Sequence, residues 1–165
     1  MVNKDFIFQI PKAELHLHLE GTLEPELKLE LARKNGVDIG QNTIEEVKES
    51  YNFHDLTSFL AIYYPAMNVL QTQEDFYKLA MAYLNKAAQH KVRYAELFFD
   101  PQAHTARGIA FKDIIEGYLQ AVSEAAGGLG VRAQLIMCFL RDLSEESALE
   151  HYEMARPYLD QIVGI

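Results

Sequence analysis

The sequence has a single cysteine, no tryptophan and few basic residues. The lone Cys138 excludes an internal disulfide and the paired cysteines of thiolate zinc motifs, and it predicts a reducing, cytoplasmic setting. The 15 Lys and Arg against 24 Asp and Glu give a net charge of −9, which predicts neither a nucleic-acid nor a membrane partner. No apolar run approaches the ~20 residues that cross a bilayer. The mixed N-terminus, with Lys4 and Asp5 among Phe and Ile, predicts no signal peptide.

Helical and strand patterns alternate along the chain, which is typical of a parallel sheet with helical crossovers. The predicted strands cover residues 13–20, 92–99, 131–140 and 161–165. The predicted helices cover residues 25–35, 43–50, 55–68, 111–126 and 144–158, together with a long helix capped by Thr72. The helix over 55–68 is expected to be interrupted or kinked near Pro65. No linker, repeat or composition shift divides the chain. It is therefore predicted to be one α/β domain with extra helices in the first crossover.

The first predicted strand carries alternating ionisable and leucine side chains. In the run ELHLHLE, perfect alternation places Glu14, His16, His18 and Glu20 on one face and three leucines on the other. Burying four such groups is costly unless something compensates them. Two histidines at i and i+2 can share one Zn²⁺ at ~2.0–2.1 Å per nitrogen. The alternatives are an edge strand with its polar face in water, or ordinary hydrogen-bonded histidines.

Residues 11–26, PKAELHLHLEGTLEPE, resemble the opening of the adenosine/adenine deaminases, metal-dependent (β/α)8 hydrolases of the amidohydrolase superfamily. The resemblance continues through residues 51–56, 63–64 and 96–108 and into the third strand. It implies that residues 1–165 are a single incomplete domain, the N-terminal half of a TIM barrel with about four β/α units. It also implies that His16 and His18 are two ligands of one Zn²⁺ or another divalent ion.

The activity that the resemblance implies is hydrolysis of adenine to hypoxanthine and ammonia. Ribonucleoside deaminases of the family carry Asp where this chain has Glu20, and the adenine branch carries Glu. We expect the longer carboxylate to occupy the space that a ribose needs. The alternatives are adenosine as substrate, a Glu20 that caps the following turn, and a truncated, non-catalytic member of the family.

Further substrate-binding residues are also implied by the resemblance. Phe59, Leu60 and Tyr63 lie at i, i+1 and i+4, on one face of a helix, and match the hydrophobic gate over the purine pocket. Leu140, at the end of the third predicted strand, matches a position in the pocket wall. Without the resemblance, an aromatic stripe at helical spacing indicates core packing.

Three polar residues follow the second predicted strand: Asp100, His104 and Arg107. We expect them to lie on a loop at the active-site face. His104 is not expected to bind the metal, because the family takes its third ligand from a later strand. By resemblance, Arg141 anchors a carboxylate or a backbone group near the barrel rim. Cys138 is expected to be a small core residue. The remaining histidines are expected to be solvated or capping, namely His54, His90 and His151.

The acid, the base and the other metal ligands of the family lie beyond the fourth strand, so no catalytic residue is assigned within residues 1–165. Two histidines are fewer than the three protein ligands of a catalytic zinc site. We therefore expect the chain alone to be inactive. Its expected partners are a small purine and either a second copy or a C-terminal half that covers the unpaired sheet edges.

Overall fold

A four-stranded parallel sheet forms the centre of the computed structural model, which describes residues 3–165. Its strands are neighbours in chain order, β1-β2-β3-β4. They cover Lys12–His18 (β1), Val92–Phe99 (β2), Arg132–Met137 (β3) and Ile162–Gly164 (β4). This order confirms the predicted alternation, because a helical crossover between parallel strands returns the chain to the adjacent position.

Eight α-helices lie within the described residues: Lys4–Gln9 (α1), Pro25–Asn35 (α2), Ile44–Ser50 (α3), Leu56–Ala66 (α4), Gln73–Gln89 (α5), Pro101–Thr105 (α6), Phe111–Gly128 (α7) and Glu145–Ala155 (α8). Three 3-10 helices cover Leu19–Thr22, Met67–Val69 and Arg156–Tyr158. Helix α4 ends one residue after Pro65, as predicted. Helices α1 and α6 were not predicted: in place of the loop expected after β2, Pro101 begins α6.

The boundaries of three predicted elements are wrong. Strand β1 ends at His18, and the chain then turns into a 3-10 helix, so Glu20 is not on the strand. Strand β3 ends at Met137, three residues before Leu140. Gly127 and Gly128 continue α7 instead of forming a loop, and the turn is made at Gly130, whose φ of 65° favours glycine.

The core lies between the sheet and helices α5 and α7. Ala95, Leu97 and Phe99 alternate along β2 toward this core and are completely buried. The two helices approach closely at Gly117, where a Cβ atom would lie 2.4 Å from the carbonyl oxygen of Gln73. This contact fixes how the first two crossover helices pack behind the strands.

A β-bulge in β1 corrects the predicted alternation. Glu14 pairs with Ala95 and Leu17 pairs with Leu97, so three residues of β1 span two residues of β2. Glu14 therefore lies on the helix side, where its carboxylate accepts a hydrogen bond of 2.8 Å from the Tyr83 hydroxyl of α5. The four ionisable groups do not share one face.

Among residues 3–165, β1 and β4 each pair with one strand only. Exposed apolar side chains lie on these edge strands and just beyond β4: Leu15, Val163 and Ile165 are each more than half exposed. None of the described helices combines the length and the apolar composition that a membrane crossing requires.

Candidate metal and purine site

A cleft of about 910 Å³ opens at the carboxyl ends of the parallel strands. His18 ends β1, Asp100 follows β2 and Cys138 follows β3, so the strand order brings these three residues together. The cleft is also lined by most of the residues predicted for the site, namely His16, His18, Phe59, Leu60, Tyr63 and Leu140. The predicted site residues therefore converge, with the exception of Glu20.

His16 and His18 lie side by side on the cleft face of β1. Their ring centroids are 5.6 Å apart, and both rings stack on Phe98 of β2, at 4.3 Å and 5.3 Å. His16 is exposed and His18 is half-buried, so ring nitrogens are open to the cleft. Two neutral imidazoles held on one side of a strand fit the donor set of a zinc ion.

Asp100 is buried, lines the cleft and contacts His18. Its Oδ2 lies 3.5 Å from His18 Nδ1 and accepts a hydrogen bond of 3.3 Å from the Tyr63 hydroxyl. The hydrogen bond to Asp100 raises the pKa of His18, although burial opposes this. Burial alone would raise the pKa of the Asp100 carboxyl, but its contacts with His18 hold that pKa below the usual value. Such a carboxylate–histidine contact orients a metal-binding ring.

Cys138 lies in the cleft wall, which corrects the prediction of a core position. Ligand atoms of Cys138, His18 and Asp100 lie within 4.8 Å of one another. Burial, reinforced by the negative charge of Asp100, raises the pKa of the Cys138 thiol to about 12. In the metal-free chain, Cys138 is therefore a protonated thiol at neutral pH.

Glu20 is 3% exposed and lies in the 3-10 helix after β1. Its Oε1 accepts hydrogen bonds from three places: the Asp100 backbone N–H at 3.2 Å, the Tyr118 hydroxyl at 3.2 Å and His104 Nε2 at 3.1 Å. Its Oε2 is buried without a partner among the described residues. Glu20 therefore connects β2, α6 and α7, and these contacts replace the predicted capping of its own turn.

The carboxylate of Glu20 does not line the large cleft. Glu20 lines a side pocket of about 190 Å³, which shares Gly21, Phe59 and Tyr63 with the cleft. The prediction that Glu20 occupies the space a ribose would need therefore concerns this side pocket. Any selection by Glu20 between the free base and the nucleoside has to act through this pocket.

The aromatic residues of α4 form one wall of the cleft. Phe59 and Tyr63 stack with their ring centroids 5.2 Å apart, and Leu60 lies beside them. Burial and the nearby carboxylates of Glu20 and Asp100 raise the pKa of Tyr63, so its hydroxyl stays a donor. The opposite wall contains Leu140, whose backbone N–H donates to Gln102 Oε1 at 2.7 Å.

His104 has no ring nitrogen free for a metal ion. It is fully buried, its Nδ1 faces Arg107 at 2.8 Å, and its Nε2 faces Glu20. The sequence singled out His104 and Arg107 by their position after β2 but gave no sign that they contact each other. Tyr118 was missed entirely, since a tyrosine on the buried face of an amphipathic helix looks like any core residue.

The remaining predicted residues lie away from the His16 and His18 pair. Arg141 lines the cleft, is exposed, and forms no ion pair within residues 3–165. His54 and His90 are exposed, and His90 ends α5. His151 is buried inside α8, with Nδ1 2.7 Å from the Ser147 carbonyl oxygen and Nε2 2.6 Å from Thr105 Oγ1, so the prediction that it is solvated or capping is wrong.

Comparison with known proteins gives concordant matches over nearly the whole chain. A sequence model of the family described as adenosine deaminase matches residues 11–165. An adenine deaminase from Zymomonas mobilis is 54% identical over 160 residues, which are 97% of this chain and 48% of that protein. An adenine deaminase from Acinetobacter baylyi is 49% identical over 165 residues, which are 100% of this chain and 50% of that protein.

Solved structures show the same relation. The crystal structure of an adenine deaminase from Arthrobacter aurescens superposes with a TM-score of 0.90 at 48% identity, covering 94% of this chain and 47% of that one. An amidohydrolase from Burkholderia ambifaria, solved with bound Zn, gives a TM-score of 0.85 at 25% identity and covers 100% and 46%. The chain thus spans about half the length of these relatives. With its parallel half-sheet and paired histidines, it belongs to the adenosine deaminase family.

Proposed function

We propose that this chain supplies the metal-binding strand and the substrate gate of an enzyme that hydrolyses adenine to hypoxanthine and ammonia, with residues 1–165 as one incomplete barrel domain. The observation that carries the proposal is the pair His16 and His18, stacked on Phe98 inside a large cleft. The relatives from Zymomonas mobilis and Acinetobacter baylyi, named adenine deaminases, support adenine as the substrate.

His16 and His18 would hold one divalent ion, which we propose to be zinc, together with ligands from outside the described residues. When bound, zinc lowers the pKa of water toward ~7 and so provides a nucleophile for the purine C6. The role of this chain is to position the imidazole nitrogens that would bind the ion. The stacking on Phe98 restricts both imidazole rings, and Asp100 holds the Nδ1 side of His18. Both contacts leave the cleft side of the rings for the ion.

The cleft walls fit a flat, mostly apolar ring. Phe59, Leu60 and Tyr63 offer one apolar wall and Leu140 offers the other, which suits a purine whose polar edge faces the metal. Glu20 adds an acceptor, since its Oε2 has no partner among the described residues. Free adenine carries an imidazole N–H that adenosine lacks, because the sugar replaces that hydrogen. A buried acceptor of this kind favours the free base over the nucleoside.

The open edges of the sheet indicate what completes the structure. Leu15 on the edge strand β1, and Val163 and Ile165 on or just beyond the edge strand β4, expose apolar surface next to unpaired backbone groups. We propose that a C-terminal barrel half covers both edges, with pairing of two copies as the alternative. A cytoplasmic place in purine salvage is part of the same proposal, supported by the presence of a single cysteine in the sequence.

A fusion tests the proposed function. In this fusion, the chain replaces the matched 50% of the Acinetobacter baylyi adenine deaminase. We expect the folded, zinc-supplied fusion to release ammonia and hypoxanthine from adenine, and the 165-residue chain alone to release none. Fusion variants His16→Ala and His18→Ala should each lose bound zinc as well as activity. His54→Ala, at an exposed histidine outside the cleft, is the matched control.

Two results would contradict the proposal. A folded, zinc-loaded fusion that leaves adenine unchanged would remove this chain from the adenine-specific deaminases, and turnover of adenosine in its place would favour the nucleoside alternative. Undiminished zinc in the double variant His16→Ala/His18→Ala would overturn the ligand assignment. Zinc content is measured by elemental analysis on protein whose fold is checked by circular dichroism.

A further inference from the structure

The Glu20 carboxylate is held at one oxygen and free at the other. Its Oε1 receives donors from the Asp100 backbone, from Tyr118 and from His104, at 3.1–3.2 Å. Its Oε2 is buried and has no partner within residues 3–165. An unpaired buried acceptor is costly to a folded protein. Such an atom is expected to have a partner that is absent from the structure, such as a donor on a ligand.

The hydrogen bonds of His104 determine its tautomer. Arg107 carries donors only, so the 2.8 Å contact between its Nη2 and His104 Nδ1 makes Nδ1 an acceptor. The proton of the neutral ring is then on Nε2, which donates to Glu20 Oε1. Arg107 is itself fixed, because it donates to the backbone oxygens of Leu70 and Ala103. The chain of donors runs in one direction, from Arg107 through His104 to Glu20.

The packing around His104 keeps this relay dry. Its ring is fully buried and meets the edge of Phe76 at a centroid distance of 4.9 Å and an interplanar angle of 84°. No water can take the place of the His104 ring in this packing. Among the described residues, His104 is therefore the side chain through which Arg107 orients Glu20. Glu20 in turn lines the side pocket, which adjoins the cleft at Gly21, Phe59 and Tyr63.

We propose that His104, fixed in its Nε2–H tautomer by Arg107, is a positioning residue that holds Glu20 Oε1 and so turns Oε2 toward the N–H donor of a free purine base. This inference rests on the proposed function. His104 touches neither substrate nor metal; it acts through Glu20. Loss of His104 should therefore weaken selection of the base over the nucleoside more than it weakens the chemical step.

The test compares variants of the fusion on adenine and adenosine. His104→Leu removes the relay, and we expect kcat/KM for adenine to fall roughly 10–100-fold, mainly through KM, as a charge-assisted hydrogen bond is lost. The adenine-to-adenosine ratio should fall with it. His104→Gln keeps an acceptor for Arg107 and a donor for Glu20, so we expect it to stay within a few-fold of the parent. His151→Leu, at a buried histidine bonded to Thr105, is the matched control and should leave the ratio unchanged.

Failure of this inference and failure of the proposed function give different results. A parent fusion inactive on adenine overturns the proposed function. An active parent whose ratio is unchanged in His104→Leu, or changed equally in His151→Leu, overturns the positioning role of His104. Nitrogen-15 NMR of histidine-labelled parent and Arg107→Met fusions gives a readout that needs no turnover and no folded His104→Leu. A protonated Nδ1 on His104 in the parent, or an Nδ1 chemical shift that is unchanged in Arg107→Met, would overturn the relay.

Discussion

A single added methyl group at Gly117 should separate helices α5 and α7. An alanine Cβ there would lie 2.4 Å from the Gln73 carbonyl oxygen, 2.9 Å from the Phe76 Cβ and 3.0 Å from the Tyr77 nitrogen. Two of these three atoms are backbone, so no side-chain rotation relieves the overlap. Overpacking typically costs about 1–3 kcal/mol, and this site belongs at the upper end. The better helix propensity of alanine returns about 1 kcal/mol, leaving a net loss of about 2 kcal/mol.

Gly127 of the same helix is the matched control, because nothing lies within 4 Å of its added Cβ. Gly127→Ala should stabilise the chain by about 0.5 kcal/mol through helix propensity alone. Urea denaturation followed by circular dichroism measures both variants, and equal slopes of free energy against urea would show that the denatured states are comparable. A Gly117→Ala chain as stable as Gly127→Ala would refute the close helix contact.

Two further variants test polar contacts in the chain. Burial alone would raise the pKa of Asp75, but hydrogen bonds from Lys34, Asn35 and two backbone N–H groups hold it below its usual value. Its stabilisation is therefore complete above the pKa of the unfolded carboxyl and is lost as pH falls through the lower folded value. Asp75→Asn should lower the free energy of unfolding by about 1–3 kcal/mol at neutral pH. It should also make the midpoint of urea denaturation less dependent on pH in acid, and a pH dependence equal to that of the parent would contradict this. Because the pKa of Cys138 is raised to about 12 by burial and by Asp100, we expect slow alkylation by iodoacetamide at pH 8 in the metal-free chain. Asp100→Asn should speed the reaction measured by mass spectrometry, and full-rate labelling of the parent would contradict the raised pKa of the Cys138 thiol.

Elements with strong local signals were predictable from the sequence. Helix α2 has Pro25 in its first turn and Gly36 at its C-cap with a φ of 64°, and both boundaries were predicted. Strand β2 was predicted over the residues that it covers, because Asp100 and Pro101 mark its end. Helix α1 carries no such signal: Phe6, Ile7 and Phe8 are consecutive and exposed, so no helical periodicity distinguishes them.

The site was predictable only where the backbone repeats regularly. Alternation placed His16 and His18 on one face, and the structure has them side by side. The environment of Glu20 depends on Tyr118 and His104, which lie 98 and 84 residues away along the chain. Side-chain periodicity describes one helix or strand at a time, so it cannot predict a hydrogen-bond network whose members come from three separate elements. The resemblance to the family indicated the importance of Glu20 but not the pocket that it lines.

The β-bulge in β1 explains why alternation failed at Glu14 and succeeded at the histidines. With no bulge, Glu14 would lie on the cleft side beside His16, where an additional carboxylate would compete for the same imidazoles. The extra residue turns Glu14 to the helix side, where the Tyr83 hydroxyl donates to it at 2.8 Å. The cleft side then holds two histidines over one aromatic ring, Phe98, and Asp100 at the strand end contacts His18. A strand of perfect alternation would have placed the same residues in a different electrostatic site, so it is the register with β2 that sets apart the two histidines proposed as metal donors.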